Sequence, residues 1–162
     1  MTAVLHTIDR ICLIAAAFAA ILLAALFIMG FTEIILRNVF SISLPFAVEY
    51  AGYLLVFVLF LGSGWTLSQD GHIRVTLLSE HVAPSTAHRL DVACTIVALT
   101  VSFILTVSII DYAIGTWARG TVSYFSSETP LVYPQALFAI GPVVLTLALI
   151  ARLIRQFTNK DT

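Results

Sequence analysis

The fold of this chain is decided by residues 37–74, which read RNVFSISLPFAVEYAGYLLVFVLFLGSGWTLSQDGHIR. They contain one apolar run, from about Tyr50 to Leu67, with charged residues on both sides of it. A helix rises 1.5 Å per residue, so about 20 residues cross the hydrocarbon of a bilayer. The run therefore predicts a membrane-spanning helix, which Ser43 caps, Pro45 opens and Gln69 ends.

Composition places the whole chain in the membrane. Of its 162 residues, 60% are hydrophobic and only 10% are charged, and the mean hydropathy is +1.03. Soluble domains carry about 25% charged residues, so there are too few charges here to cover a soluble globule. The net charge of −1 offers nucleic acid no electrostatic attraction. We expect membrane lipid, and not nucleic acid, to surround or contact this chain.

Three further apolar runs predict an all-α integral membrane protein, with one four-helix membrane domain over residues 1–162. The expected spans are residues 11–32, 48–68, 90–111 and 131–152. Residues 33–40 either extend the first helix or form a short interfacial one. Residues 71–82 predict an amphipathic segment on the membrane surface, and residues 114–129 predict an interfacial loop.

Basic residues predict the orientation. Four spans place both termini on the same side of the membrane. Six basic residues would share that side, against two on the other; they are Arg10, Arg74, Arg89, Arg152, Arg155 and Lys160, against Arg37 and Arg119. Because cytoplasmic loops are enriched in Lys and Arg, both termini are expected in the cytoplasm.

Several patterns predict contacts between helices. Ala16, Ala20 and Ala24 form either a small-residue packing face or an alanine-rich surface towards lipid. A stripe of small and polar residues favours packing inside the subunit over a substrate path; it consists of Thr95, Ala98, Ser102 and Thr106. Gly141 and Pro142 predict a kink in the last helix. Arg37 and Glu49 flank the break before the second span, and we expect them to form an ion pair or a shared polar network.

No catalytic or cofactor motif is present. The two cysteines lie inside apolar runs without metal spacing, and nothing resembles a nucleotide-binding loop or a zinc motif. All four histidines lie at or beyond helix ends, which disfavours the alternative of a haem-anchoring or enzyme-anchoring subunit. A second alternative, a stand-alone small transporter, normally needs an ionisable group in the middle of the membrane, and no span has one. An accessory subunit without a cofactor fits best.

The sequence also resembles the small membrane subunit of TRAP (tripartite ATP-independent periplasmic) transporters. The resemblance is carried by RNVF (37–40), PFAVE (45–49), FLG (60–62), GHIRV (71–75), ETPL (128–131) and GP (141–142). The order and spacing of these short motifs, rather than any single one, carry it over essentially the whole chain. The chain departs from the family pattern at Phe46, often tryptophan, and at Tyr50, where a second acidic residue is common.

This resemblance implies a location and a role. It implies a multi-pass protein of the bacterial inner membrane that supports a large, elevator-type membrane subunit. That subunit would carry an organic acid with sodium, delivered by a periplasmic substrate-binding protein. The positions expected to serve structure or the subunit interface are Arg37, Glu49, Gly52, Gly62, His72, Arg74, Pro130 and Pro142.

Overall fold

The computed structural model describes residues 2–69 and 84–158, which fold as four long helices. They are α1 (Thr2–Phe40), α2 (Ala47–Ser68), α3 (Pro84–Arg119) and α4 (Val132–Thr158). Each is long and apolar enough to cross a membrane. Within the described ranges the helices are accompanied only by an isolated β-bridge between Val122 and Pro130. The predicted all-α class with four spanning helices is confirmed.

α4 is the central helix of the subunit. It packs against α1, α2 and α3, and α1 also packs against α2. In the most apolar stretch of α4, 33% of the residues are buried inside the subunit, compared with 11% in the corresponding stretches of α1 and α3. Among the described helices, α3 contacts α4 alone. The fold is thus a three-helix bundle with a fourth helix laid along one side.

Small side chains form the core. Cys12, Ala15 and Ala19 of α1 meet Leu61 of α2 and a buried face of α4 that contains Val144, Ala148, Leu149 and Ala151. Because lipid is as apolar as these side chains, close van der Waals packing stabilises the contact, and small residues permit it. Ala20 and Ala24, for which a packing face and a surface towards lipid were both open, are exposed and take no part in this core. Those two alanines therefore point out of the subunit.

Helix ends differ from the predicted ones. α1 continues through residues 33–40, so the open choice is resolved in favour of an extended helix. α3 continues to Arg119 and α4 to Thr158, so the loop predicted from residue 114 and the end predicted near residue 152 were wrong. A span is recognised by its apolar run, whereas a helix continues into polar residues wherever nothing breaks it. The segment at 71–82 lies outside the described residues.

The end of α3 has a clear local cause. Gly120 adopts a φ of 60°, a left-handed conformation that glycine accepts without a steric penalty. The amide of Gly120 then bonds the carbonyl of Trp117 at 3.2 Å, and that of Thr121 bonds the carbonyl of Thr116 at 3.3 Å. This pair of bonds is a Schellman motif, which satisfies the last carbonyls of the helix. The chain turns here into the loop before α4.

The start of α2 was predicted incorrectly in detail. The helix begins at Ala47, and its N-cap residue Phe46 makes no capping bond through its side chain. Ser43 donates its hydroxyl to the carboxylate of Glu33 instead, at 2.7 Å. Ser43 therefore does not cap α2. It bonds the α1–α2 linker to α1 instead.

Candidate functional site

The subunit has two ends, named here the loop end and the terminal end. The loop end carries the α1–α2 linker (residues 41–46) and the α3–α4 loop (residues 120–131). The terminal end carries the first residues of α1 and the last residues of α4. Most polar contacts among the described residues lie at these two ends, with one hydroxyl cluster between α3 and α4.

Glu33 fixes the α1–α2 linker at the loop end. Its Oε1 accepts hydrogen bonds from Ser43 Oγ at 2.7 Å and from Arg37 Nη2 at 2.9 Å. Its Oε2 accepts the backbone amide of Leu44 at 2.7 Å. Arg37 thus pairs with the carboxylate one helical turn before it. The expected Arg37–Glu49 pair or shared network was wrong, because Arg37 bonds the nearer acid on its own helix and Glu49 bonds Tyr53 and Ser127.

Glu49 joins α2 to the α3–α4 loop. Its side chain is buried, and its carboxylate accepts hydrogen bonds from the hydroxyls of Tyr53, at 2.7 Å, and of Ser127. A second bridge joins Tyr50 Oη and Thr129 Oγ1 at 3.3 Å. An anion in the first turn of a helix is also favoured by the helix dipole. Glu49 is therefore a structural clasp. It joins α2 to Ser127, which lies 78 residues further along the chain.

The α3–α4 loop is a short, tied-back turn. The amide of Ser123 bonds the carbonyl of Thr129 at 2.9 Å, and the amide of Leu131 bonds that of Thr121 at 3.1 Å. Pro130 lies opposite Val122 in the isolated bridge. At the tip, Tyr124 is fully exposed. The loop therefore presents an aromatic side chain beyond the helix ends while its base stays fixed.

The hydroxyl cluster between α3 and α4 satisfies itself. Ser102 Oγ lies 2.9 Å from Thr146 Oγ1, which donates to the carbonyl of Pro142 at 2.8 Å. Thr106 donates to the carbonyl of Ser102 at 2.8 Å. All three hydroxyls have partners inside the subunit, and Ser102 is 3% exposed. The prediction that this stripe packs within the subunit is confirmed for Thr95, Ser102 and Thr106, which are buried, and is wrong for Ala98, which is exposed.

Ion pairs at the terminal end were not predicted. Arg155 Nη2 lies 2.6 Å from Asp9 Oδ1 and so links α4 to α1. Arg152 bonds Asp91 at 2.9 Å, and Gln156 bonds the other oxygen of Asp91 at 2.7 Å, which links α4 to α3. The signal available in the sequence was the placement of acids at the starts of α1 and α3 and of arginines near the end of α4. These contacts fasten both neighbours to the central helix.

Glycines divide into two groups. Gly52 and Gly62 are the two glycines expected from the sequence to serve structure or the subunit interface. A Cβ built on either one meets no atom within 4 Å. A Cβ on Gly141 would lie 2.4 Å from Cβ of Phe60, and one on Gly64 would lie 2.9 Å from Cγ1 of Val144. The close helix contacts inside the subunit therefore occur at Gly64 and Gly141, and Gly52 and Gly62 face open space.

The remaining candidates have different outcomes. Pro142 is fully buried inside α4, which continues through it as a helix; the size of the kink stays a prediction. His72 and Arg74 lie outside the described residues. Across residues 2–69 and 84–158, no three His, Cys, Asp or Glu side chains are grouped so that they could hold a metal ion.

Four spanning helices with polar groups that are mainly bonded to one another define a multi-pass membrane protein. The model of one family, the DctQ component of tripartite ATP-independent periplasmic (TRAP) transporters, matches residues 26–159. The chain belongs to this family and is a small membrane subunit of a TRAP transporter, a transporter component and not an enzyme. It is a multi-pass protein of the inner membrane. A search of curated proteins gave no match.

Proposed function

We propose that this chain is the fixed scaffold of a sodium-coupled secondary transporter for organic acids. In this proposal it supports a large elevator-type membrane subunit, and a periplasmic binding protein delivers the carboxylate. One observation carries the scaffold role: the central parts of all four spans contain no acidic or basic side chain. A carboxylate or a sodium ion in mid-membrane needs polar partners, and the three hydroxyls of the α3–α4 cluster already bond each other and the backbone.

The outward face of α2 is the surface we assign to the large subunit. Val48, Gly52, Leu55, Leu59 and Gly62 follow one another at alternating steps of four and three, the spacing of a helix–helix seam. Leu59 is 62% exposed, and space is open above both glycines. Small residues let the backbones of membrane helices approach closely. A helix of the large subunit would lie along this seam.

A substitution on the seam tests this assignment. Gly62→Leu and Gly52→Leu are expected to lower the amount of large subunit that co-purifies with the tagged chain, since a bulky side chain separates the two helices. Ala98→Leu is the matched control, because Ala98 is an exposed small residue on α3. If both glycine variants co-purify as well as the control, the seam is not the interface.

The loop end is proposed to face the periplasm, where the binding protein delivers its substrate. The excess of basic residues on the terminal side supports this orientation. Arg37, Glu49 and Pro130 would then hold the periplasmic surface in shape, and His72 and Arg74 would lie at the cytoplasmic surface.

Thiol labelling tests the orientation. With Cys12 and Cys94 replaced by alanine, Tyr124→Cys should react with a membrane-impermeant thiol reagent from the periplasm. Arg74→Cys should react only from the cytoplasm. The opposite pattern would reverse the proposed topology.

A further inference from the structure

A groove at the loop end is left unfilled by the contacts described above. It is lined by Met29 of α1, by Phe46, Tyr50 and Leu54 near the start of α2, and by Ser127 of the α3–α4 loop. Its volume is about 390 Å³, and most of its lining is apolar. Met29 and Leu54 lie within the helices that can span the membrane. The groove therefore lies near the loop-end termini of two spanning helices, where its apolar walls are expected to meet lipid.

The walls of the groove are held in place by neighbouring contacts. The rings of Phe46 and Tyr50 meet edge to face at 5.9 Å. The hydroxyl of Tyr50 is tied to Thr129, and Ser127 is tied to Glu49. Two of the lining side chains, Tyr50 and Ser127, thus have partners outside the groove, so an occupant finds this side of it already formed. Such preorganisation lowers the entropic cost of binding.

A cation, Arg37, lies further along α1 than the groove residue Met29, towards the loop end of the subunit. Arg37 follows Met29 by two helical turns, about 12 Å along α1. Its side chain is 62% exposed, while that of its partner Glu33 is 12% exposed. Only Nη2 of Arg37 is engaged, by Glu33 and Ser43. Its Nε and Nη1 donors have no hydrogen-bond acceptor among the described residues.

We propose that the groove holds an acyl chain of one phospholipid, whose phosphate is bound by Arg37. A guanidinium presents its donors as a planar fork that matches phosphate oxygens. The apolar walls suit the hydrocarbon chain, and the distance from Met29 to Arg37 separates chain from headgroup in the order that a bilayer imposes. The proposal goes beyond the scaffold role and does not depend on which side of the membrane the loop end faces.

Photo-crosslinking tests the site in the intact complex of both membrane subunits. The complex is placed in nanodiscs of phosphatidylethanolamine and phosphatidylglycerol, with some phosphatidylglycerol carrying a diazirine in its acyl chain. Labelled peptides are then mapped by mass spectrometry. We expect label at Met29 and Leu54 in the parent chain, and its loss in Leu54→Trp, which fills the groove. Leu137→Trp, an exposed leucine on α4, is the control and should keep the label.

A second pair of variants tests the phosphate contact. Arg37→Gln should lower labelling of the groove by roughly fivefold, the effect of losing one charge-assisted hydrogen bond at a partly exposed site. Arg119→Gln, another exposed arginine at the loop end, should leave it unchanged. If Leu54→Trp prevents assembly, this second pair decides. Unchanged labelling in Arg37→Gln, or a groove of the parent chain that takes no label because the large subunit covers it, would overturn the proposal.

Discussion

Gly141 is the position at which a single methyl group should matter most. α2 and α4 cross here so closely that a Cβ on Gly141 would lie 2.4 Å from Cβ of Phe60 and 3.0 Å from its backbone carbonyl carbon. Part of this obstruction is backbone, so rotation of the phenylalanine ring does not relieve it. Gly141→Ala must therefore move α2 and α4 apart.

The size of the effect follows from two opposing contributions. Overpacking a close contact costs about 1–3 kcal/mol, and obstruction by backbone favours the upper end of that range. Alanine in place of glycine stabilises a helix by about 1 kcal/mol. The net destabilisation of Gly141→Ala should then be about 2 kcal/mol. Gly52→Ala gains the same helix propensity and meets no atom within 4 Å, so it should be neutral or stabilising.

Thermal unfolding of the detergent-purified complex measures this difference. By the relation between free energy and melting temperature for chains of this size, about 2 kcal/mol corresponds to a fall of roughly 4–8 °C. Gly52→Ala should not fall. Equal melting temperatures for Gly141→Ala and Gly52→Ala would refute the close crossing of α2 and α4.

Variants at three other polar contacts are tested by the same unfolding measurement. Glu49→Leu leaves two hydroxyls without their acceptor and should destabilise the complex by about 2 kcal/mol, whereas Glu49→Gln, which keeps an acceptor oxygen, should cost less; equal losses would contradict the clasp. Asp9→Arg and Arg155→Asp should each cost up to about 1 kcal/mol, since the pair is partly exposed, and combining them should recover stability; a double variant weaker than both singles would exclude the pair. Ser102→Ala should cost about 0.6 kcal/mol and leave the choice of transported substrate unchanged in an uptake assay; altered substrate choice with an intact complex would contradict the scaffold role.

The sequence was sufficient for the number and kind of helices. Their apolar runs exceed the length that a bilayer requires, and no soluble core can bury so much apolar surface. The buried polar stripe of α3 was also predictable, because polar residues such as Ser102 and Thr106, four apart, mark one face of an otherwise apolar helix. Exposing these hydroxyls to lipid is unfavourable, so this face is expected to pack against protein.

Contacts that depend on helix rotation were not predictable from the sequence. Every glycine in an apolar run permits close approach, and nothing local distinguishes Gly141, which meets Phe60, from Gly62, which faces open space. Asp9 and Arg155 are 146 residues apart, so their pairing requires knowing that α1 and α4 are neighbours. The Arg37–Glu49 prediction failed because Glu33, one helical turn before Arg37 on the same helix, is the nearer carboxylate.

The most direct test of the scaffold role is sodium-driven uptake of a carboxylate into liposomes, with the binding protein supplied outside. The large membrane subunit is reconstituted with this chain or without it, and this chain is also reconstituted alone. We expect uptake only when both membrane subunits are present, and none from this chain alone. Uptake by this chain alone, or undiminished uptake by the large subunit without it, would contradict the account.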